Sequence, residues 1–182
     1  MIINGGPILG IIPAYRLCWI GGRFGGHKTS LALRISRDLL DRGYKLLTNA
    51  SCAWADDPST ITLGPDGKVK AVVLLDEGGL EFKASRQIEE LAAYSRKMDL
   101  IFLFPSFWPP VRQAQVLTIQ SLFSFSTMGL PLIIYKWRVK LGGFEDHGNF
   151  GWFWPQEVYG TYSTQDPGDR AGEIIKVLIE RK

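Results

Sequence analysis

Short apolar runs alternate with amphipathic stretches along the first two thirds of the chain. Four stretches, at residues 16–20, 44–54, 71–79 and 100–104, predict strands, and residues 71–75 and 100–104 are unbroken apolar runs. Unbroken runs of this kind are typical of parallel strands that are buried on both faces. Between them, residues 29–41 and 85–97 place apolar side chains every three or four positions, which predicts two helices. This alternation of strands and helices predicts an α/β fold with a mostly parallel, doubly wound sheet.

The last third of the chain has a different pattern. Residues 130–141 alternate loosely between apolar and polar side chains, which predicts a strand. A glycine-containing polar stretch at residues 142–149 predicts a turn, and residues 150–154 and 158–162 supply returning strand material. We therefore expect a hairpin or meander of extra C-terminal strands over about residues 130–165.

Two further helices and one arm complete the predicted elements. Residues 111–125 predict a helix with prolines at its start, and residues 169–181 predict a closing helix with one apolar face. Residues 1–14 contain several glycines and two prolines, and they predict an extended arm. A chain of 182 residues can bury one core and leaves little room for a second, so we expect residues 1–182 to form a single domain.

Composition and charge narrow the class of protein only slightly. A hydrophobic share of 46% is ordinary for a soluble globular protein, and a net charge of +3 is too small to indicate nucleic-acid binding by itself. The first residues lack a basic leader and no run of about 20 apolar residues occurs, so we expect neither a signal peptide nor a transmembrane helix. Cys18 and Cys52 fall in strands predicted to be adjacent and buried, where we expect reduced packing residues. These features predict a cytoplasmic protein.

A glycine-rich loop at residues 21–30 lies between the first predicted strand and the first predicted helix. Its sequence from Gly22 to Thr29 nearly matches the P-loop (Walker A) pattern G-x-x-x-x-G-K-[ST]. In such a loop, backbone N–H groups surround the phosphates, and glycine permits both the close approach and a positive φ. The residues expected to bind the nucleotide are Gly22, Arg23, Gly25, Gly26, His27, Lys28, Thr29 and Ser30.

Within this loop, Lys28 is expected to contact the β and γ phosphates and Thr29 to bind Mg²⁺. His27 departs from the pattern, because it occupies the position of the last glycine. Histidine is one of the residues found more often at positive φ, and the left-handed conformation costs about 1–2 kcal/mol. We therefore expect a loop that still forms but has weaker contact with phosphate.

The apolar run at residues 71–79 ends in two acidic residues, Asp76 and Glu77. Ligands of open α/β sheets bind at the carboxyl ends of the strands, where these carboxylates should lie. Asp76 suits Mg²⁺, and Glu77 suits the activation of the attacking water, as in the Walker B strand of a nucleotide-hydrolysing enzyme. The alternative is a solvated turn after a buried strand. Together with the glycine-rich loop, the pair predicts a P-loop NTPase fold that binds ATP and Mg²⁺.

Other residues carry weaker functional hypotheses. Ser106 follows the run at residues 100–104 and could contact the γ phosphate, with a plain loop serine as the alternative. Arg112 and Arg86 are candidate arginine fingers, and both are also typical of surface cations. A basic face of the strand at residues 130–141, with Lys136, Arg138 and Lys140, would suit single-stranded DNA if aromatic side chains lay beside it.

Some classes are excluded or disfavoured by missing motifs. No cluster of cysteines and histidines has the spacing of a metal site. The Asn-Lys-x-Asp motif that reads guanine is absent, which excludes a regulatory GTPase. No arginine-rich lid follows the acidic pair, which disfavours a small-molecule kinase.

With these residues in place, the chain resembles the FtsK/HerA branch of P-loop ATPases, and within it the Zot-like (zonular-occludens-toxin-like) proteins of filamentous phages and related mobile elements. Four stretches carry the resemblance: the glycine-rich loop, Leu-Leu-Thr-Asn-Ala at residues 46–50, Val-Val-Leu-Leu-Asp-Glu-Gly-Gly at residues 72–79, and Ile-Phe-Leu-Phe-Pro-Ser-Phe-Trp-Pro-Pro at residues 101–110. The acidic stretch is typical of the additional-strand class of ATPases.

The resemblance implies an oligomeric ATPase, often a hexameric ring, that moves or packages DNA or drives export for a mobile element. By position it assigns phosphate and Mg²⁺ binding to Lys28, Thr29 and Asp76. It likewise implies water activation by Glu77 and sensing by Ser106. The missing transmembrane segment argues against a membrane-anchored form. The alternative function is a nucleotide-binding assembly subunit with little or no hydrolysis.

Overall fold

In the computed structural model of the chain, the described residues are 12–76, 85–107, 117–127, 130–141, 144–163 and 170–180. The strands are β1 (Leu17–Gly21), β2 (Lys45–Thr48), β3 (Ser51–Cys52), β4 (Ala71–Leu74), β5 (Leu100–Pro105), β6 (Leu117–Thr127), β7 (Leu130–Leu141), β8 (Phe144–Phe153) and β9 (Tyr162–Ser163). The helices are α1 (Lys28–Leu40), α2 (Ser85–Met98) and α3 (Arg170–Glu180), with 3₁₀ turns at Pro58–Thr60 and Pro155–Glu157.

The strands form one seven-stranded sheet in the order β2-β4-β5-β1-β6-β7-β8 and a separate two-stranded sheet of β3 and β9. Strands β2, β4, β5 and β1 form a four-stranded parallel core, and β6 pairs in parallel with β1. Strands β7 and β8 continue the sheet in antiparallel orientation. The predicted α/β architecture with a mostly parallel sheet and extra C-terminal strands is therefore confirmed.

Both faces of the parallel strands are covered by helices, as their unbroken apolar sequences predicted. On one face, the apolar side of α1 packs against alternate strand residues such as Ile20, Val72 and Leu103. On the other face, α3 and the end of α2 pack against the intervening residues, including Val73 and Phe102. Side chains on a strand alternate between faces, so a strand between two layers needs apolar residues at every position.

The prediction of a helix at residues 111–125 is wrong for the residues that the structure describes, which begin at residue 117. Residues from 117 onwards form β6, which pairs with β1 on one side and with β7 on the other. The sequence Phe-Ser-Phe-Ser-Thr at residues 123–127 alternates with a period of two, which fits a strand better than a helix. The register shifts between Ser121 and Phe123, so the alternation does not continue through the whole segment and a period of two is harder to recognise. Residues 108–116 lie outside the described residues.

The strands predicted in the last third of the chain and at residues 44–54 need three corrections. β8 begins at Phe144, so most of the predicted turn at residues 142–149 belongs to the strand. Residues 158–161 form a turn, and only the short β9 follows, pairing with β3 rather than with the main sheet. The predicted strand at residues 44–54 is divided into β2 and β3. The boundaries of these strands depend on their pairing partners, which local sequence does not show.

The ends of the chain are described in part. Residues 12–15 form a helical turn where an extended arm was predicted, while residues 1–11 lie outside the described residues. The closing helix is confirmed as α3, whose Ala171, Ile174, Ile175 and Leu178 are buried. Among the helices that the structure describes, none is both long enough and apolar enough to cross a membrane.

Both cysteines are free, as predicted, but they do not lie on adjacent strands. Cys18 is in β1, whereas Cys52 is in β3 of the separate two-stranded sheet. After β1 the chain passes over two strand positions to form β2, and β4 and β5 later fill the positions between β1 and β2. Burial raises the pKa of both thiols above the ordinary value, and Cys18 is fully buried.

We expect Cys18 to resist modification by a thiol reagent in the folded protein and Cys52 to react slowly. A raised pKa keeps each thiol protonated at neutral pH, and the thiolate is the reactive form. A time course with a chromogenic disulfide reagent checks this expectation, with urea-unfolded protein as the control in which both thiols react quickly. Fast reaction of two thiols without urea would contradict the burial of Cys18.

Candidate functional site

The candidate site lies at the carboxyl edge of the parallel strands. β1 leads into the glycine-rich loop, β2 is followed by Asn49, β4 is followed by Asp76, and β5 is followed by Ser106. Because parallel strands end at the same edge of a sheet, these four connections converge. The sequence-predicted residues of the loop, the first acidic residue and the serine are therefore brought to one side of the molecule.

The glycine-rich loop adopts a conformation that requires glycine at several positions. Gly22 and Gly25 have φ angles of 155° and 70°, and the N–H of Gly26 donates to the carbonyl of Arg23 at 3.0 Å. At Gly21, an added Cβ would lie 2.7 Å from the ring of Trp19, which is closer than side-chain atoms approach. The loop therefore turns tightly between β1 and α1.

His27 occupies the left-handed region in place of the glycine of the motif, with φ 55° and ψ 33°. It is the N-cap residue of α1, and its carbonyl accepts the N–H of Leu31 at 2.9 Å. Its Nδ1 lies 3.4 Å from the hydroxyl of Tyr159. Partial burial lowers the pKa of the imidazole below its ordinary value, so the ring is mainly neutral at neutral pH. The loop thus keeps its left-handed turn without glycine.

Lys28 is buried within the loop, with only 8% of its surface exposed. Its Nζ donates to the carbonyl of Arg23 at 3.1 Å and lies 5.6 Å from the centre of the Phe24 ring. The ammonium group is therefore directed back over the loop rather than out into solvent. In this position its charge faces the space that the loop backbone surrounds, which suits an anionic ligand.

Thr29 and Asp76 meet although they are 47 residues apart in the chain. The Thr29 hydroxyl donates to the Asp76 carboxylate, with Oγ1 at 2.9 Å from Oδ1 and 3.0 Å from Oδ2. Asp76 is only 8% exposed, so this contact is shielded from water. A hydroxyl and a carboxylate are hard oxygen ligands of the kind that Mg²⁺ prefers.

The donor set of Thr29 and Asp76 suits Mg²⁺. Among the residues that the structure describes, no group of three or more histidine, cysteine, aspartate or glutamate residues could bind a metal ion. Mg²⁺ usually binds one or two protein oxygens together with phosphate oxygens and water. Thr29 and Asp76 would supply these two protein ligands, and Mg²⁺ would supply neutralisation of phosphate charge.

Asn49 fixes the backbone of Asp76, and sequence reasoning assigned it no role. Its Oδ1 accepts the N–H of Asp76 at 2.7 Å, and its Nδ2 donates to the carbonyl of Asp76 at 3.1 Å. Asn49 is 3% exposed, so both bonds lie in the protein interior. A polar residue directly after a buried strand was the available signal. The carboxylate of Asp76 is thus directed towards Thr29 by a neighbouring strand end.

The other predicted catalytic residues differ in how far the structure describes them. Ser106 is buried, its N–H donates to the carbonyl of Ile20 at 3.2 Å, and its carbonyl accepts Trp19 Nε1 at 3.2 Å. These bonds hold the end of β5 beside the end of β1. Glu77 and Arg112 lie outside the described residues, and Arg86 lies in the first turn of α2.

The predicted basic face of β7 is described in part, because the side chain of Lys140 lies outside the described residues. Lys136 and Arg138 are both half-buried, and the structure describes no exposed aromatic side chain beside them. The exposed aromatic pair of the described chain lies elsewhere, at the glycine-rich loop. There, Phe24 stacks on Phe107 with ring centres 5.5 Å apart, and Phe24 is 76% exposed.

The geometry joins a buried lysine, a hydroxyl and a carboxylate around a glycine-rich turn at the carboxyl edge of a parallel sheet. A buried lysine beside a glycine-rich turn suits an anionic ligand, and a hydroxyl with a carboxylate suits a divalent cation. Comparison with protein-family models and with curated proteins finds no match for this chain.

Proposed function

We propose that the chain is a P-loop ATPase domain that binds ATP with Mg²⁺ at the carboxyl edge of its parallel sheet. The observation that carries this proposal is the contact between Thr29 and Asp76 beside the buried Lys28. Thr29 and Asp76 are far apart in sequence and follow different strands. A solvated turn after β4 would leave Asp76 exposed, whereas Asp76 is buried. The alternative reading of Asp76 as a surface turn residue is therefore disfavoured.

The roles proposed for the side chains follow from their positions. Lys28 would contact the β and γ phosphates, and Thr29 and Asp76 would hold a Mg²⁺ that neutralises phosphate charge. Glu77, directly after Asp76 in sequence, would orient and deprotonate the attacking water. Ser106, at the end of the next strand, would contact the γ phosphate or that water.

The order of the strands supports the additional-strand class of ATPases. β5 lies between β1, which carries the glycine-rich loop, and β4, which carries Asp76. We take β5 to be the additional strand of that class. The end of β5 then lies between the two halves of the site, which suits a residue that senses the phosphate.

By its resemblance to Zot-like proteins of the FtsK/HerA branch, we propose that the ATPase works as a homo-oligomer, with DNA translocation, packaging or export as its task. The second candidate is an assembly subunit that binds a nucleotide with little or no hydrolysis. One observation favours this second candidate: His27 occupies the position of a glycine whose backbone would approach the phosphates most closely.

Replacing Glu77 with glutamine is expected to abolish ATP hydrolysis while leaving ATP binding within about twofold of the wild type. Glutamine keeps the size of the side chain but cannot accept the proton of the attacking water, an effect worth about 10²–10⁴ in rate. Phosphate release and the binding of a fluorescent ATP analogue measure the two properties.

Glu173→Gln is the matched control, because Glu173 is exposed on α3 and lies outside the proposed site. Hydrolysis by the wild type that is lost in Glu77→Gln and kept in Glu173→Gln would support the motor. Binding without turnover in all three proteins would support the assembly subunit. A wild type that binds no ATP would contradict both proposals.

A further inference from the structure

The segment at residues 157–162 lies against the glycine-rich loop and the start of α1. The Tyr159 hydroxyl lies 3.4 Å from His27 Nδ1, and the Tyr162 hydroxyl lies 2.8 Å from the Ser30 hydroxyl. Arg34 donates from Nε to the Glu157 carboxylate at 2.7 Å. Three side chains from one segment, about 130 residues away in the chain, therefore contact the loop and its helix in succession.

The contacted residues lie on one face of the helix. His27, Ser30 and Arg34 are separated by three and four positions, the spacing of neighbours along a helix surface. Lys28 and Thr29 lie between the first two of them. The 157–162 segment is thus bonded directly before and directly after the two residues that are proposed to bind phosphate and Mg²⁺.

The segment is itself fixed by the rest of the fold. Val158 is fully buried in the core that also contains Leu31 and Leu33 of α1. The carbonyl of Thr161 accepts the N–H of Ala53 at 2.8 Å, and β9 pairs with β3. A segment with a buried anchor and paired backbone can restrain whatever its side chains contact.

We propose that Tyr159 and Tyr162 are positioning residues for the glycine-rich loop, and that Tyr159 maintains the left-handed conformation of His27 where the motif normally has glycine. A histidine disfavours positive φ, so a partner outside the loop that bonds the ring in this conformation makes the conformation more populated. Tyr162 restrains the next turn through Ser30. This proposal rests on the proposed function, because the tyrosines would hold the loop in the conformation that binds phosphate.

The test removes only the two hydroxyl groups. Tyr159→Phe and Tyr162→Phe keep the rings and are each expected to weaken the binding of a fluorescent ATP analogue with Mg²⁺ by about three- to tenfold, the range for one lost hydrogen bond. Tyr44→Phe is the matched control. Tyr44 lies directly before β2, at the amino end of the parallel strands, and its hydroxyl bonds to Asp99. Its binding should equal that of the wild type.

A double-mutant cycle separates positioning of His27 from a general structural effect. In a His27→Gly background, glycine adopts positive φ unaided, so Tyr159→Phe should weaken binding less than twofold, while Tyr162→Phe should still weaken it. Equal losses from Tyr159→Phe in both backgrounds would overturn the role assigned to Tyr159.

Amide hydrogen exchange without nucleotide makes the test independent of ATP binding. Residues 22–30 should exchange faster in Tyr159→Phe and Tyr162→Phe than in the wild type and in Tyr44→Phe. Unchanged exchange in both variants would overturn the positioning role, even if ATP binds. A wild type that binds no ATP, with faster loop exchange in the variants, would contradict the proposed function and support the restraint of the loop by these tyrosines.

Discussion

Lys28→Ala is expected to weaken ATP binding by at least about 100-fold, since it removes two or more charge-assisted hydrogen bonds to phosphate at about 1.5–3 kcal/mol each. The ammonium group of Lys28 is buried against the loop, where it donates to the Arg23 carbonyl. Isothermal titration with ATP and Mg²⁺ measures the affinity. Any change of oligomeric state on adding ATP, measured by light scattering after size-exclusion chromatography, should disappear as well.

Lys176→Ala provides the control for this prediction. Lys176 carries the same charge but is 76% exposed at its side chain on α3, so its removal should change neither affinity nor assembly. A thermal melt shows whether Lys28→Ala still folds, because the variant also loses the bond to the Arg23 carbonyl. Unchanged ATP affinity in a folded Lys28→Ala protein would contradict the site.

Much of the fold could be predicted because burial on both faces imposes a simple rule on a strand. The runs that became β1, β4 and β5 contain apolar residues at every position, and no other element of a soluble domain needs that. The rule did not identify β6 as a strand, because its apolar residues alternate with polar ones and its register shifts between Ser121 and Phe123. Its strand identity depends on pairing with β1 and β7, and a pairing partner is not encoded in local periodicity.

The candidate site was predictable where one local motif or one strand end carries it. The glycine-rich loop and Asp76 belong to this category, and the structure brings Thr29 and Asp76 together. Asn49 and Tyr159 could not be assigned in the same way. Each acts on a residue that is remote in sequence, 27 positions for Asn49 to Asp76 and 132 for Tyr159 to His27. Asn49 meets Asp76 because β2 pairs with β4, and Tyr159 meets His27 because the turn after β8 lies against the glycine-rich loop.

Asn49→Ala is expected to lower the free energy of unfolding by about 2–4 kcal/mol, a large loss for one side chain. The substitution leaves both the N–H and the carbonyl of Asp76 without the partners that the Asn49 amide supplies. Unsatisfied buried backbone groups each cost about 1–3 kcal/mol, and this site is closed to water because Asn49 is 3% exposed. Urea unfolding followed by circular dichroism measures the difference.

Ser51→Ala is a suitable control, because Ser51 is exposed two residues further on and its side chain is not part of this interaction. Asn49→Asp adds a second comparison: the carboxylate can accept the N–H of Asp76 but cannot donate to its carbonyl. It also places a second negative charge near the Asp76 side chain, so we expect it to destabilise the protein at neutral pH and to recover part of the loss when acid protonates it. If Asn49→Ala matched Ser51→Ala in stability, the two bonds would not determine where the Asp76 carboxylate points, and the orientation of that carboxylate towards Thr29 would need another cause.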